Sequence, residues 1–114
     1  MKLFSRLRKN KSDYEKMNRR NRSERNADFV YLSDFAASRQ NVRGYYEEGT
    51  AREPASLLLV AESGEWTRRK VRDGDEARRL CGKMEIECLS VAAAGYPPQM
   101  RQWNREHPNS VRRS

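Results

Sequence analysis

Positive charge is concentrated at one end of this chain, and that restricts which residues can build a core. Residues 1–26 hold ten Lys or Arg against three acids, while the other 88 residues hold fourteen against thirteen. A segment with a balance of +7 resists burial, so the fold must come from the near-neutral remainder. The same imbalance points to an anionic partner. Charge alone does not distinguish DNA, RNA, a lipid surface or an acidic protein.

The 114 residues leave room for one domain. With residues 1–26 set aside as a basic arm, about 85 residues remain, enough for one small core of marginal stability. Apolar residues make up 36% and charged residues 35%, near the border between a small globular domain and a partly disordered chain. No apolar run nears the roughly 18 residues of a membrane span. Residues 1–7 also lack the apolar stretch of a targeting signal, so a cytoplasmic location is expected. Cys81 and Cys88 are the only cysteines. Two do not form a disulfide scaffold, and in that compartment reduced, structural thiols are expected.

The arm has few apolar anchors. Leu3, Phe4 and Leu7 would share one face of a short helix, and Tyr14 and Met17 follow three apart. It reads either as a solvated tail or as a helix that forms against a partner. Phe29, Leu32, Phe35 and Ala36 then match a helical face, although residues 29–32 are also compatible with a strand. A helical region over 27–48 is the expectation, weakened at Gly44 and stopped at Gly49.

Residues 56–62 form an apolar run, 63–65 a turn, and 66–71 a second β-compatible stretch, which together predict a hairpin. Asp73 and Glu76 have the spacing of a capping box, opening a helix over about 75–84 with Ala77, Leu80, Cys81 and Met84 inward. Residues 85–91 begin by alternating acid with apolar, which reads as a third strand. Continuing the helix to Ala94 is the alternative. The strand is preferred because a lone hairpin is weak. Tyr96-Pro97-Pro98 interrupts regular structure, and a last short helix is expected over 99–107 with Met100 and Trp103 on one face. Residues 108–114 read as a disordered tail. The fold class is therefore α+β: one small domain over 27–107, ββαβ with an N-terminal helical region.

No catalytic constellation is legible. His107 is the only histidine and lies in a polar segment without an adjacent nucleophile. Neither a metal-ligand cluster nor a phosphate-binding glycine loop is present in the sequence pattern. Asp73, Asp75 and Glu76 resemble part of a calcium loop, but the helix cap accounts for them. The expectation is no enzyme, no cofactor, no metal and no small-molecule substrate.

Two basic surfaces remain. The arm offers Arg6, Arg8, Lys9, Lys11, Arg19, Arg20, Arg22 and Arg25, which can contact phosphates without reading sequence. The second strand offers Arg68, Lys70 and Arg72 on one face, with Arg69 on the other and Arg78 and Arg79 on the helix that follows. Trp66 beside them could stack on a base, or could pack in the core. Separately, residues 38–49 resemble the second helix of a helix-turn-helix regulator. The resemblance covers about a dozen residues. It implies that Arg39 would suit guanine and Gln40 or Asn41 adenine, with Val42 and Tyr45 inward. Leu32 and Gly44 depart from that pattern. Leu3, Phe4 and Leu7 beside basic residues also fit an anionic bilayer surface, but three anchors bury little area, and membrane association is not expected.

Two functions follow from these features. One is a non-enzymatic basic accessory protein that binds DNA, RNA or a nucleoprotein complex through its arm and Arg-rich face. The other is a protein-interaction module of phage or mobile-element type that inhibits or adapts a host complex, with Tyr45, Tyr46 and Trp103 as its aromatic anchors.

Overall fold

Burial on both faces explains the uninterrupted apolar run at 56–60. In the structure, a computed structural model describing residues 21–108, this segment is strand β2 (Ser56–Val60), buried at every position. Alternation sends Leu57 and Leu59 into one core and Leu58 and Val60 into a second on the opposite face. The expected hairpin is present. β3 (Trp66–Lys70) pairs antiparallel with β2, Leu58 opposite Arg68. At the turn, Ala61 N–H donates to Glu65 O (2.8 Å) and Gly64 N–H to Ala61 O (2.9 Å).

The helical region expected over 27–48 divides. α1 (Arg22–Ser38) starts inside the basic arm and ends ten residues earlier than expected. Asn21 caps it by accepting from Glu24 N (2.7 Å). Residues 43–47, assigned to a helix from the sequence, are instead strand β1 (Arg43–Glu47), antiparallel to β2. Two causes are local and one is not. Tyr45 and Tyr46 favour a pleated surface. Asn41 turns the chain at a φ of 52°. The third is Gly44, where a Cβ would lie 2.5 Å from Cys81 Sγ. Gly44 leaves the space that lets a helix lie close on the sheet.

That helix is α2 (Gly74–Met84), and its cap forms as expected. Asp73 accepts from Glu76 N (3.0 Å). Glu76 reaches back to accept from Arg72 N (2.8 Å), one residue beyond the Asp73 N–H that the reciprocal bond of a capping box would use. Glu85 ends the helix in the left-handed region (φ 58°), its N–H donating to the Cys81 and Gly82 carbonyls. The helix therefore does not continue, and a third expected strand follows, shortened to β4 (Cys88–Ser90). It pairs with β1 in parallel, not with the hairpin. The sheet is mixed, in the order β3-β2-β1-β4, and the fold is α+β.

α1 and α2 cover one face, around Leu32, Phe35, Leu57, Leu59, Ala77 and Cys81. After the single turn α3 (Val91–Ala94), α4 (Pro98–Glu106) covers part of the other with Met100. Asp73→Ala should lower stability by about 1 kcal/mol, measured by thermal unfolding. The Asp73 carboxyl is held below its ordinary range, chiefly by the Glu76 N–H. Its contribution is complete above the unfolded carboxylate range, about pH 4, and is lost as pH falls through the lower folded value.

Candidate nucleic-acid interface

The folded body is electrically neutral. Residues 21–108 contain fourteen Lys or Arg and fourteen Asp or Glu. The formal charge of +8 therefore resides wholly in residues 1–20 and 109–114. Of the arm's basic residues, Arg6, Arg8, Lys9, Lys11, Arg19 and Arg20 lie outside the described residues, as do Leu3, Phe4, Leu7 and the tail beyond Pro108. Arg22 and Arg25 are exposed at the start of α1.

The Arg-rich segment does not form one patch. Strand alternation puts Arg68 and Arg69 on opposite faces. Arg69 lies against α1, its guanidinium 3.6 Å from the Tyr31 ring centroid and 3.5 Å from Asp28. Arg68 points to the α4 side, pairs with Glu47 at 3.2 Å and sits 5.6 Å from the Trp66 ring. Tyr96 donates to the same Glu47 carboxylate. Arg72 pairs with Asp73 (3.3 Å), Arg78 with Asp75, and Arg79 with Glu76 (3.5 Å). Lys70 is exposed at the end of β3. These guanidiniums already have anionic partners, and a phosphate would have to compete with them.

Trp66 is half-buried beneath α4, where Nε1 donates to Asn104 Oδ1 (2.7 Å). Its ring packs against the second core rather than lying open for a base. Trp103 is half-buried and stacks on His107 (centroids 3.5 Å apart). Tyr45 is 5% exposed and lies in the second core, so its ring is not presented on the surface. Tyr46 is half-buried against the first.

The helix-turn-helix resemblance fails on conformation. Ser38 is the last residue of α1, residues 39–42 are a connection, and 43–47 are a strand. Arg39 is also engaged within the fold. It donates from Nε and Nη2 to Glu65 (3.1 and 2.7 Å) and from Nη1 to Ser38 Oγ (2.7 Å), with its guanidinium 4.4 Å from the Phe35 ring. Arg39 in turn holds the Glu65 carboxyl below its ordinary range.

A cleft of about 620 Å³ opens where α1, β1 and the α2–β4 connection meet, with Arg39, Asn41, Arg43, Glu62, Glu85 and Glu87 on its walls. The sequence reading did not find it, because its walls come from four separate segments. Its mixed charge, with Arg43 3.5 Å from Glu87, does not single out a ligand. Among the described residues, no group of three or more His, Cys, Asp or Glu is placed to hold a metal ion. No helix among them is long and apolar enough to cross a membrane. The chain matches no protein-family model, no curated protein and no solved structure.

Proposed function

We propose that this chain is a non-enzymatic accessory protein that binds nucleic acid, or a nucleoprotein complex, through its basic termini. One observation carries the reading: the body is neutral and the whole net charge lies outside it. Flanking cations of this kind neutralise phosphates and release counterions, giving affinity without base readout. Arg68, Lys70 and Arg72 contribute less than the arm, because Arg68 and Arg72 are already ion-paired.

The test is titration of labelled duplex DNA and single-stranded RNA against salt. The full chain is compared with a variant carrying Gln at the eight Lys and Arg positions of residues 1–20. If about six of them contact phosphates, neutralisation should remove about five from the slope of log K against log salt. Affinity at low salt should fall by about a hundredfold or more. Unchanged binding in the variant, or no binding by the full chain, overturns the reading.

A second reading, the protein-interaction module of phage or mobile-element type, is favoured by exposed apolar surface. Val30, Tyr31 and Tyr96 are 57%, 41% and 40% exposed. It requires a stoichiometric protein partner that survives nuclease treatment in a pull-down and is lost on Val30→Asp.

A further inference from the structure

Cys81 and Cys88 are brought together by the fold although they come from different elements. Cys81, on the sheet-facing side of α2, is 1% exposed. Its Sγ occupies the space that a side chain on Gly44 would fill, 2.5 Å from the position of the missing Cβ. Gly44 is the ladder partner of Cys88 across the parallel β1–β4 pair. Ladder partners project to the same face from strands about 4.8 Å apart. The Cys88 side chain therefore rises beside the gap that the Cys81 sulfur fills. Cys88 packs against the core that contains Cys81.

We propose that this pair is an oxidation site, at which hydrogen peroxide forms a reversible Cys81–Cys88 disulfide clipping α2 to β4. The thiols differ in access. Cys88 is half-exposed, whereas burial, reinforced by Cys88 itself, pushes the Cys81 thiol up. Cys88 therefore reacts first. Its thiolate attacks one peroxide oxygen, the O–O bond breaks, and a sulfenic acid forms as the departing hydroxide takes a proton to become water. Cys81 then attacks the Cys88 sulfur. The S–O bond breaks, the S–S bond forms, and the leaving hydroxide takes the Cys81 proton to give a second water. Each sulfur loses one electron, and the two electrons reduce the peroxide.

The crosslink closes residues 82–87 into a short ring. Glu85, Ile86 and Glu87 within it line the cleft. Oxidation thus fixes one cleft wall against the sheet, independently of the basic termini.

The experiment treats the full chain with hydrogen peroxide, alkylates it after denaturation, and reads the intact mass. The expected product has lost two hydrogens, takes up no alkyl group, and regains both thiols with dithiothreitol. Cys81→Ala should instead accumulate a Cys88 sulfenic acid that dimedone traps, and the wild type should not. Hydrogen exchange across 82–87 should slow by about tenfold in the oxidised protein. If Cys81 remains alkylatable while Cys88 oxidises further or crosslinks between chains, the proposal is overturned. Loss of both thiols with unchanged exchange at 82–87 overturns the clip.

Discussion

Gly64→Ala will destabilise the protein by about 2–4 kcal/mol and detach α4 from the sheet. Gly64 sits at a φ of +96°, where a Cβ is strained. Space is the harder constraint. A Cβ would lie 2.1 Å from Gln99 O and 2.7 Å from Gln99 C, both backbone atoms of α4. No rotamer change relieves that clash, so the hairpin turn or the helix must move. Trp66 and Trp103 both sit at this junction, so fluorescence-detected urea unfolding reports it directly. Gly82→Ala is the matched control. Nothing lies within 4 Å of a Cβ there, and the site is exposed inside α2. That substitution should stabilise by about 0.5–1 kcal/mol, opposite in sign. Equal effects at the two glycines would contradict the docking of α4.

Leu32→Ala should cost about 3–4 kcal/mol. Leu32 is 0% exposed, and α1 buries only Leu32 and Phe35 fully. Its other attachments are the half-buried Ala36 against the same core, the Tyr31 hydroxyl 2.7 Å from Thr67 Oγ1, Arg69 over the Tyr31 ring, and Lys83 5.5 Å from the Phe29 ring, among others. A cavity under Leu32 should therefore loosen the whole helix. Hydrogen exchange across 22–38 should rise more than in β2. Val30→Ala, at a position 57% exposed, should stay within about 0.5 kcal/mol of wild type. A Leu32 variant as stable as the Val30 variant would mean that α1 is not packed on the sheet. Because α1 begins within the arm, the Leu32 variant also separates two roles. If the arm alone supplies phosphate contact, salt-dependent nucleic-acid binding persists after α1 loosens.

Elements governed by neighbours a few residues away were legible. The hairpin followed from an apolar run, a turn and a β-compatible run. The start of α2 followed from Asp73 and Glu76, and its end from competition between helix continuation and the alternation at 85–88. Pro97 and Pro98 marked the start of α4. β1 was not legible. Its five residues fall in the helical region expected over 27–48, with Gly44 read only as a weak point in that helix. The expected sites show the same division. Arg69 was correctly separated from Arg68 by alternation, but neither the pairing of Arg68 with Glu47 nor that of Arg69 with Asp28 could be read from spacing. Those partners lie on other elements.

Sequence alone determined that the charge is segregated, that the core must form from the neutral remainder, and that a hairpin and a capped helix contribute to it. These properties rest on composition and on contacts within a few residues. Tertiary structure decided that residues 43–47 are a strand, that β4 joins β1 in parallel, and that most of the Arg-rich segment is neutralised in place. It also decided that Cys81 meets Cys88 above Gly44. Each of these depends on groups distant along the chain, whose approach is set by packing: a glycine reads as a helix weakness until the sulfur that needs its space is brought above it.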